Sequence, residues 1–262
     1  MNTEPANKCG LKREDFQTTV NGKQTDLFVL KNSNGNEVAV TNYGGAIVAI
    51  MMPDKDGNYA NLIQGHDNIQ DVINSPEPFL SVLIGRYGNR IKDGKFTLHG
   101  KEYQLARNDG PNHLHGGPTG FHAHVWDAMQ VSSNAVVLKY ASPYGEEGFT
   151  GELNVWVAYT LTDDDELVIK YQATTNKLTI VNLTHHAFYS GNCQPNTYYR
   201  QHYLSGKRRL LSPYRQGFYP YRRNSQGRGY SFRFPYSKDH RSGHRCRQRA
   251  DKERTGLRPQ LR

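Results

Sequence analysis

The sequence predicts an all-β protein, a sandwich or a barrel. Three observations carry this. Strand-period alternation recurs along roughly the first 190 residues, clusters of Gly, Asn and Asp punctuate it, and no long stretch has helical periodicity. In chain order, EVAVTNYGGAIVAIMMPDKDG (37–57) reads as two strands broken at Gly44-Gly45. KFTLHGKEYQL (95–105) sets Phe96 and Leu98 before a His99-Gly100 turn, and Tyr103 and Leu105 after it. ELNVWVAYTL (152–161) puts Leu153, Val155, Val157, Tyr159 and Leu161 on one face. An acidic turn follows, and LVIKYQA (167–173) aligns Leu167, Ile169, Tyr171 and Ala173, so the two segments read as a hairpin.

The chain divides by composition. Its 262 residues carry a formal charge of +9, but residues 200–262 alone hold 15 Arg and 3 Lys against 3 acids. The tail is therefore +15 and the rest −6. Two units are expected: residues 1–190 as the β-rich part, and residues 191–262 as an Arg-rich, aberrant tail without a period of either kind, disordered by composition. No apolar run is long enough for a membrane helix, and MNTEPANKCGLKREDF has no apolar leader. Cys9, Cys193 and Cys246 fit neither a disulfide framework nor a zinc ribbon, so a reducing, cytoplasmic setting and no membrane partner are expected. Basic residues mixed with aromatics can bind single-stranded nucleic acid. The tail permits that reading, but no specific nucleic-acid partner is expected.

Histidines cluster in RNDGPNHLHGGPTGFHAH (107–124), a stretch otherwise rich in turn formers. His113/His115 and His122/His124 are His-x-His pairs, and in an extended strand each pair would present two imidazoles to one side. That leaves three readings: a metal site, for which no neighbouring ligand completes the set; polar loop histidines; or a small-molecule site where imidazoles exchange protons near neutral pH. IGRYGNRIKDGKF (84–96) adds Arg86, Asn89 and Arg90, guanidinium and amide groups that suit fixed hydroxyls. VNLTHHAF (181–188) adds His185 and His186, only one of which can face a given pocket from a strand.

In this order and spacing the segments resemble the galactose mutarotase (aldose 1-epimerase) family, over about residues 15–188. The resemblance rests on TNYGGAIVAIMMPDKDG, GRYGNRIKDGKFTLHGKEYQLARNDGPNHLHGG, GFHAHVW and VNLTHHAF. It implies a mutarotase-like β-sandwich (supersandwich), here incomplete at its C-terminus. It implies aldose 1-epimerase activity, interconverting α and β anomers of hexoses such as galactose and glucose, with a small aldose as partner and neither metal nor organic cofactor. The family's Asn-Arg pair and the His of its Leu-His-Gly-Gly loop contact the sugar and fall on Asn89, Arg90 and His115. Its catalytic acid falls on His186, with His185 where the family has Asn. His113 is expected to be structural.

The family also has a Gly-Tyr-Asp-His segment whose Asp binds sugar, and a later Glu that acts as base. Neither is matched here. GLRPQLR (256–262) can be written in codons that, read one base later, give Gly-Tyr-Asp-His-Asn-Phe, and LSPYRQGFYPYRR (211–223) permits a family-like Tyr-Leu-Pro-Ile-Asp-Lys-Gly-Phe-Ile-Pro-Thr-Gly at the same offset. The tail is thus expected to be the family's C-terminal region out of frame. Without base and Asp, the chain is expected to be inactive or impaired. A non-catalytic carbohydrate-binding protein is the alternative.

Overall fold

The computed structural model describes residues 7–189 and, as backbone, 230–233. Its strands are β1 (Thr19–Val20), β2 (Lys23–Gln24), β3 (Leu27–Lys31), β4 (Glu37–Thr41), β5 (Ile47–Pro53), β6 (Tyr59–Asn61), β7 (Leu83–Ile84), β8 (Arg90–Ile91), β9 (Lys95–Leu98), β10 (Lys101–Gln104), β11 (His113–Leu114), β12 (Asp127–Ser132), β13 (Ala135–Ser142), β14 (Leu153–Leu161), β15 (Glu166–Thr175), β16 (Thr184–His185) and β17 (Tyr230–Arg233). One short α-helix, α1 (Ile69–Ile73), is capped by Asn68, whose side chain accepts from the Asp71 N–H.

Two antiparallel sheets form the body. The larger runs β12-β13-β14-β15-β17, and the smaller β3-β4-β5-β6. On β14 the five residues expected inside, from Leu153 to Leu161, are all buried, with half-buried residues between them. Together with Val136, Leu138, Leu167 and Ile169 they meet Leu30, Val38, Val40, Ile47 and Ile50 of the smaller sheet in one apolar cluster. Each such fully buried aliphatic side chain contributes about 1.5–3 kcal/mol. On β15 the buried face ends at Ile169: Tyr171 is half-buried and Ala173 exposed.

The smaller sheet is covered on its other face too. Ala39, Val48 and Ala49 pack there against Phe16, Ile69, Val72, Val82 and Ile84. Burial from both sides explains why β4 and β5 read as nearly unbroken apolar runs. The break between them is Gly44-Gly45, both at positive φ. The 95–105 hairpin also forms as the pattern indicates, with Phe96 opposite Tyr103 and their rings stacked at 5.1 Å. The tail lies outside the described residues except for β17, which pairs through Tyr230–Arg233 with Glu166–Ile169.

Candidate functional site

Two short ladders build the site. β7 pairs with β16, setting Leu83 opposite His185, and β8 pairs with β11, setting Arg90 opposite Leu114. Residues 83–91 thus form a spine with partners from two distant parts of the chain. His186 follows β16, where its N–H donates to the Val82 carbonyl at 2.9 Å. His115 follows β11. The two imidazoles meet edge to face, ring centres 5.0 Å apart.

Asn89 and His115 lock each other. The Asn89 N–H donates to His115 Nδ1 at 3.0 Å, and the His115 N–H donates to the Asn89 carbonyl at 3.2 Å. Both residues have left-handed backbone, with φ of 71° and 53°. Asn tolerates this region well; His does so less readily, and the paired bonds hold it there. The glycines after His115 are required by close approach. At Gly116, φ 89°, a Cβ would overlap the Gly85 carbonyl oxygen. Asn89 Oδ1 accepts from the Arg90 N–H at 2.8 Å, and Arg90 Nε donates to Asp109 Oδ2 at 2.6 Å. Asp109 is held by its own turn, where Asn112 donates its N–H to the Asp109 carbonyl at 3.0 Å.

Electrostatics fix the protonation state of His115. Burial pushes His115 down to about 4, and the neighbouring His186 and Arg90 push the same way. His115 is therefore neutral at pH 7. Because its Nδ1 accepts a bond, its proton sits on Nε2, which is a donor. Asn89, Arg90, His115 and His186 are all half-buried, so a ligand can reach them. A groove of about 580 Å³ beside β2 and β12 is lined by none of the four.

The other candidates lie elsewhere. His113 is fully buried, with Nδ1 donating to the Ala106 carbonyl at 2.7 Å and its ring edge-on to Phe149. The His113/His115 pair does not share a face, because β11 ends at Leu114 and His115 turns left-handed. His122 sits in a 3₁₀ turn (Phe121–Ala123) and meets Phe79, whereas His124 stacks on Tyr140 at 4.7 Å and contacts Glu146. Those two imidazoles also point to different neighbours, so neither His-x-His pair is a two-pronged ligand set. His185 packs against Tyr159, its Nε2 3.4 Å from the Gly45 carbonyl; burial pushes it down to about 3.

Arg86 leaves the set. It is 1% exposed and donates to the carbonyls of Ser142, Pro143, Thr150 and Gly151 and to Ser142 Oγ. Two residues of the corner carried no sequence signal for it. Phe79 packs edge-on against His115 at 4.9 Å and lies 6.4 Å from His186. Asp109 grips Arg90, but in the sequence it reads only as a turn former.

The aldose 1-epimerase family model matches residues 26–204, more than two thirds of the chain. The chain belongs to the aldose 1-epimerase family. The match starts and ends later than the motifs alone indicate, passing residue 188. Galactose mutarotase of Bos taurus is 43% identical over 163 residues, covering 62% of this chain and 47% of that protein. The mouse protein of the same name is 40% identical over 179 residues, 68% of this chain and 51% of its own length. The solved structure of galactose 1-epimerase from Lactobacillus acidophilus NCFM superposes with a TM-score of 0.59 at 30% identity, over 66% of this chain and 51% of that one. The fold is thus the mutarotase-like sandwich. The chain spans about half the length of the curated relatives it matches.

Proposed function

We propose that this chain carries the acid and the sugar-orienting residues of an aldose 1-epimerase acting on hexoses such as galactose or glucose. The observation that carries the reading is the convergence of His186, His115, Asn89 and Arg90 from three separate segments, with His115 and His186 ring to ring at 5.0 Å. His186 donates a proton to the ring oxygen while a carboxylate takes one from the anomeric hydroxyl. The ring opens to the aldehyde, C1 turns about its bond to C2, and the ring closes on either face. His115, neutral with its proton on Nε2, donates to a hydroxyl and adds no positive charge beside the acid. Arg90, aligned by Asp109, orients a second hydroxyl. These are proton transfers and call for no cofactor.

The carboxylate base and the sugar-binding Asp have no counterpart in residues 1–262, so the chain as written turns over slowly. Losing a positioned base costs on the order of 10²–10⁴ in rate. Polarimetry on freshly dissolved α-D-galactose tests this, with the chain as written beside a version shifted by one base through the tail and continued through the family's later Glu. The shifted version should be far faster, and in it Arg90→Ala and His115→Ala should be slow. Equal rates for the two versions would overturn the missing base; unchanged rates in both variants would overturn the site.

A further inference from the structure

Beside His122 lies a cavity of about 180 Å³ that the proposed reaction does not use. Its walls come from Tyr43 after β4, His66 after β6, the α1 region through Val72 and Glu77, and the loop holding Pro118 and His122. Two imidazole nitrogens among these residues, His66 Nε2 and His122 Nδ1, are buried and have no hydrogen-bond partner among the described residues. A buried polar atom left unpaired costs about 1–3 kcal/mol, so two on one cavity point to something that bonds them. His122 as a whole is only 6% exposed.

The lining selects the chemistry. It contains no Lys or Arg, and its one full charge is the Glu77 carboxylate, so an anion is disfavoured. Among the described residues no three His, Cys, Asp or Glu side chains are grouped to hold a metal ion. His122 is neutral at pH 7, since burial pushes it down to about 4. A neutral imidazole offers one donor and one acceptor; the His122 N–H goes to the Pro118 carbonyl, so Nδ1 is left as an acceptor, which a hydroxyl can answer by donating. Val72, Ile73, Leu80 and Val82 supply apolar wall for C–H groups. The volume is below the roughly 300–1,000 Å³ of drug-sized pockets and equals about six water volumes.

We propose that this cavity is a second binding site, for a neutral polyol of monosaccharide size or smaller, held by His66, His122 and Tyr43. The site is distinct from the anomer corner, although Phe79 packs against both His122 and His115.

The test is a long-range proton–nitrogen spectrum of the imidazoles in the full chain, titrated in separate arms with glycerol and with D-galactose. A saturable shift at His66 and His122 with either probe, weakened at least tenfold in His66→Phe or His122→Phe, supports the site. The half-buried His66 variant keeps the test readable if the His122 variant fails to fold. No shift at these two residues with either probe, or a shift unchanged in both variants, overturns it. Shifts at His115 and His186 alone would remove this site and leave the anomer reading standing.

Discussion

Arg86 and Arg90 stand four residues apart and do opposite work. Arg86 is enclosed, and carbonyls from the β13–β14 connection take up its guanidinium, while Ser142 Oγ relays it to Glu146. Arg90 is about a third exposed and is held by a carboxylate on a turn. The first is a structural pin between the spine and the larger sheet. The second borders a surface that a ligand can reach. Residue type does not separate them; partners and exposure do.

Substitution at the pin should have the largest effect on stability. Arg86→Ala strands several buried carbonyl acceptors at once and should cost about 3–5 kcal/mol, read as a lowered urea midpoint. A change under about 1 kcal/mol would erase the contrast with Arg90. Next comes acid. His115 is held at about 4, His122 at about 4 and His185 at about 3, against about 6.5 for an unfolded histidine. Each therefore adds stability that is complete above about pH 6.5 and is lost as pH falls through the folded value, because the unfolded chain takes up the proton first. Urea midpoints should drop between pH 6.5 and 4, less steeply in His115→Ala. A flat profile would mean that these rings are solvated.

Much of the fold was legible because the period of two is strict on β14 and burial on both faces leaves β4 and β5 as nearly unbroken apolar runs. The 95–105 hairpin was legible from its His99-Gly100 turn, where both residues have positive φ. At the corner, the family resemblance singled out Asn89, Arg90, His115 and His186, which the fold brings together. What failed was the inference that residues two apart share a face. It assumes extended backbone, and His115 and His122 sit in turns. Phe79 was invisible because its partners, His115 and His122, come from a distant loop and nothing local marks it. Arg86 was misgrouped since its acceptors are backbone carbonyls, which sequence does not display.

Two smaller effects sharpen the comparison. Gly116→Ala forces a side chain into left-handed backbone and onto the Gly85 carbonyl, and should cost about 2 kcal/mol, with the damage centred on His115. Thermal unfolding measures it, and a neutral result would mean that the loop does not approach the spine so closely. Arg90→Ala should cost under about 1 kcal/mol, since its ion pair with Asp109 is partly solvated, while sugar binding is lost.

The most direct test of the corner itself is D-galactose titrated into the full chain and into Arg90→Ala, with the imidazole nitrogens of His115 and His186 observed. The parent chain should show a saturable shift at His115 Nε2 and at His186, and the variant, equally folded, should show neither. Unmoved His115 and His186 resonances in the parent, or the same shifts at the same concentrations in Arg90→Ala, would contradict the assignment of this corner to a sugar.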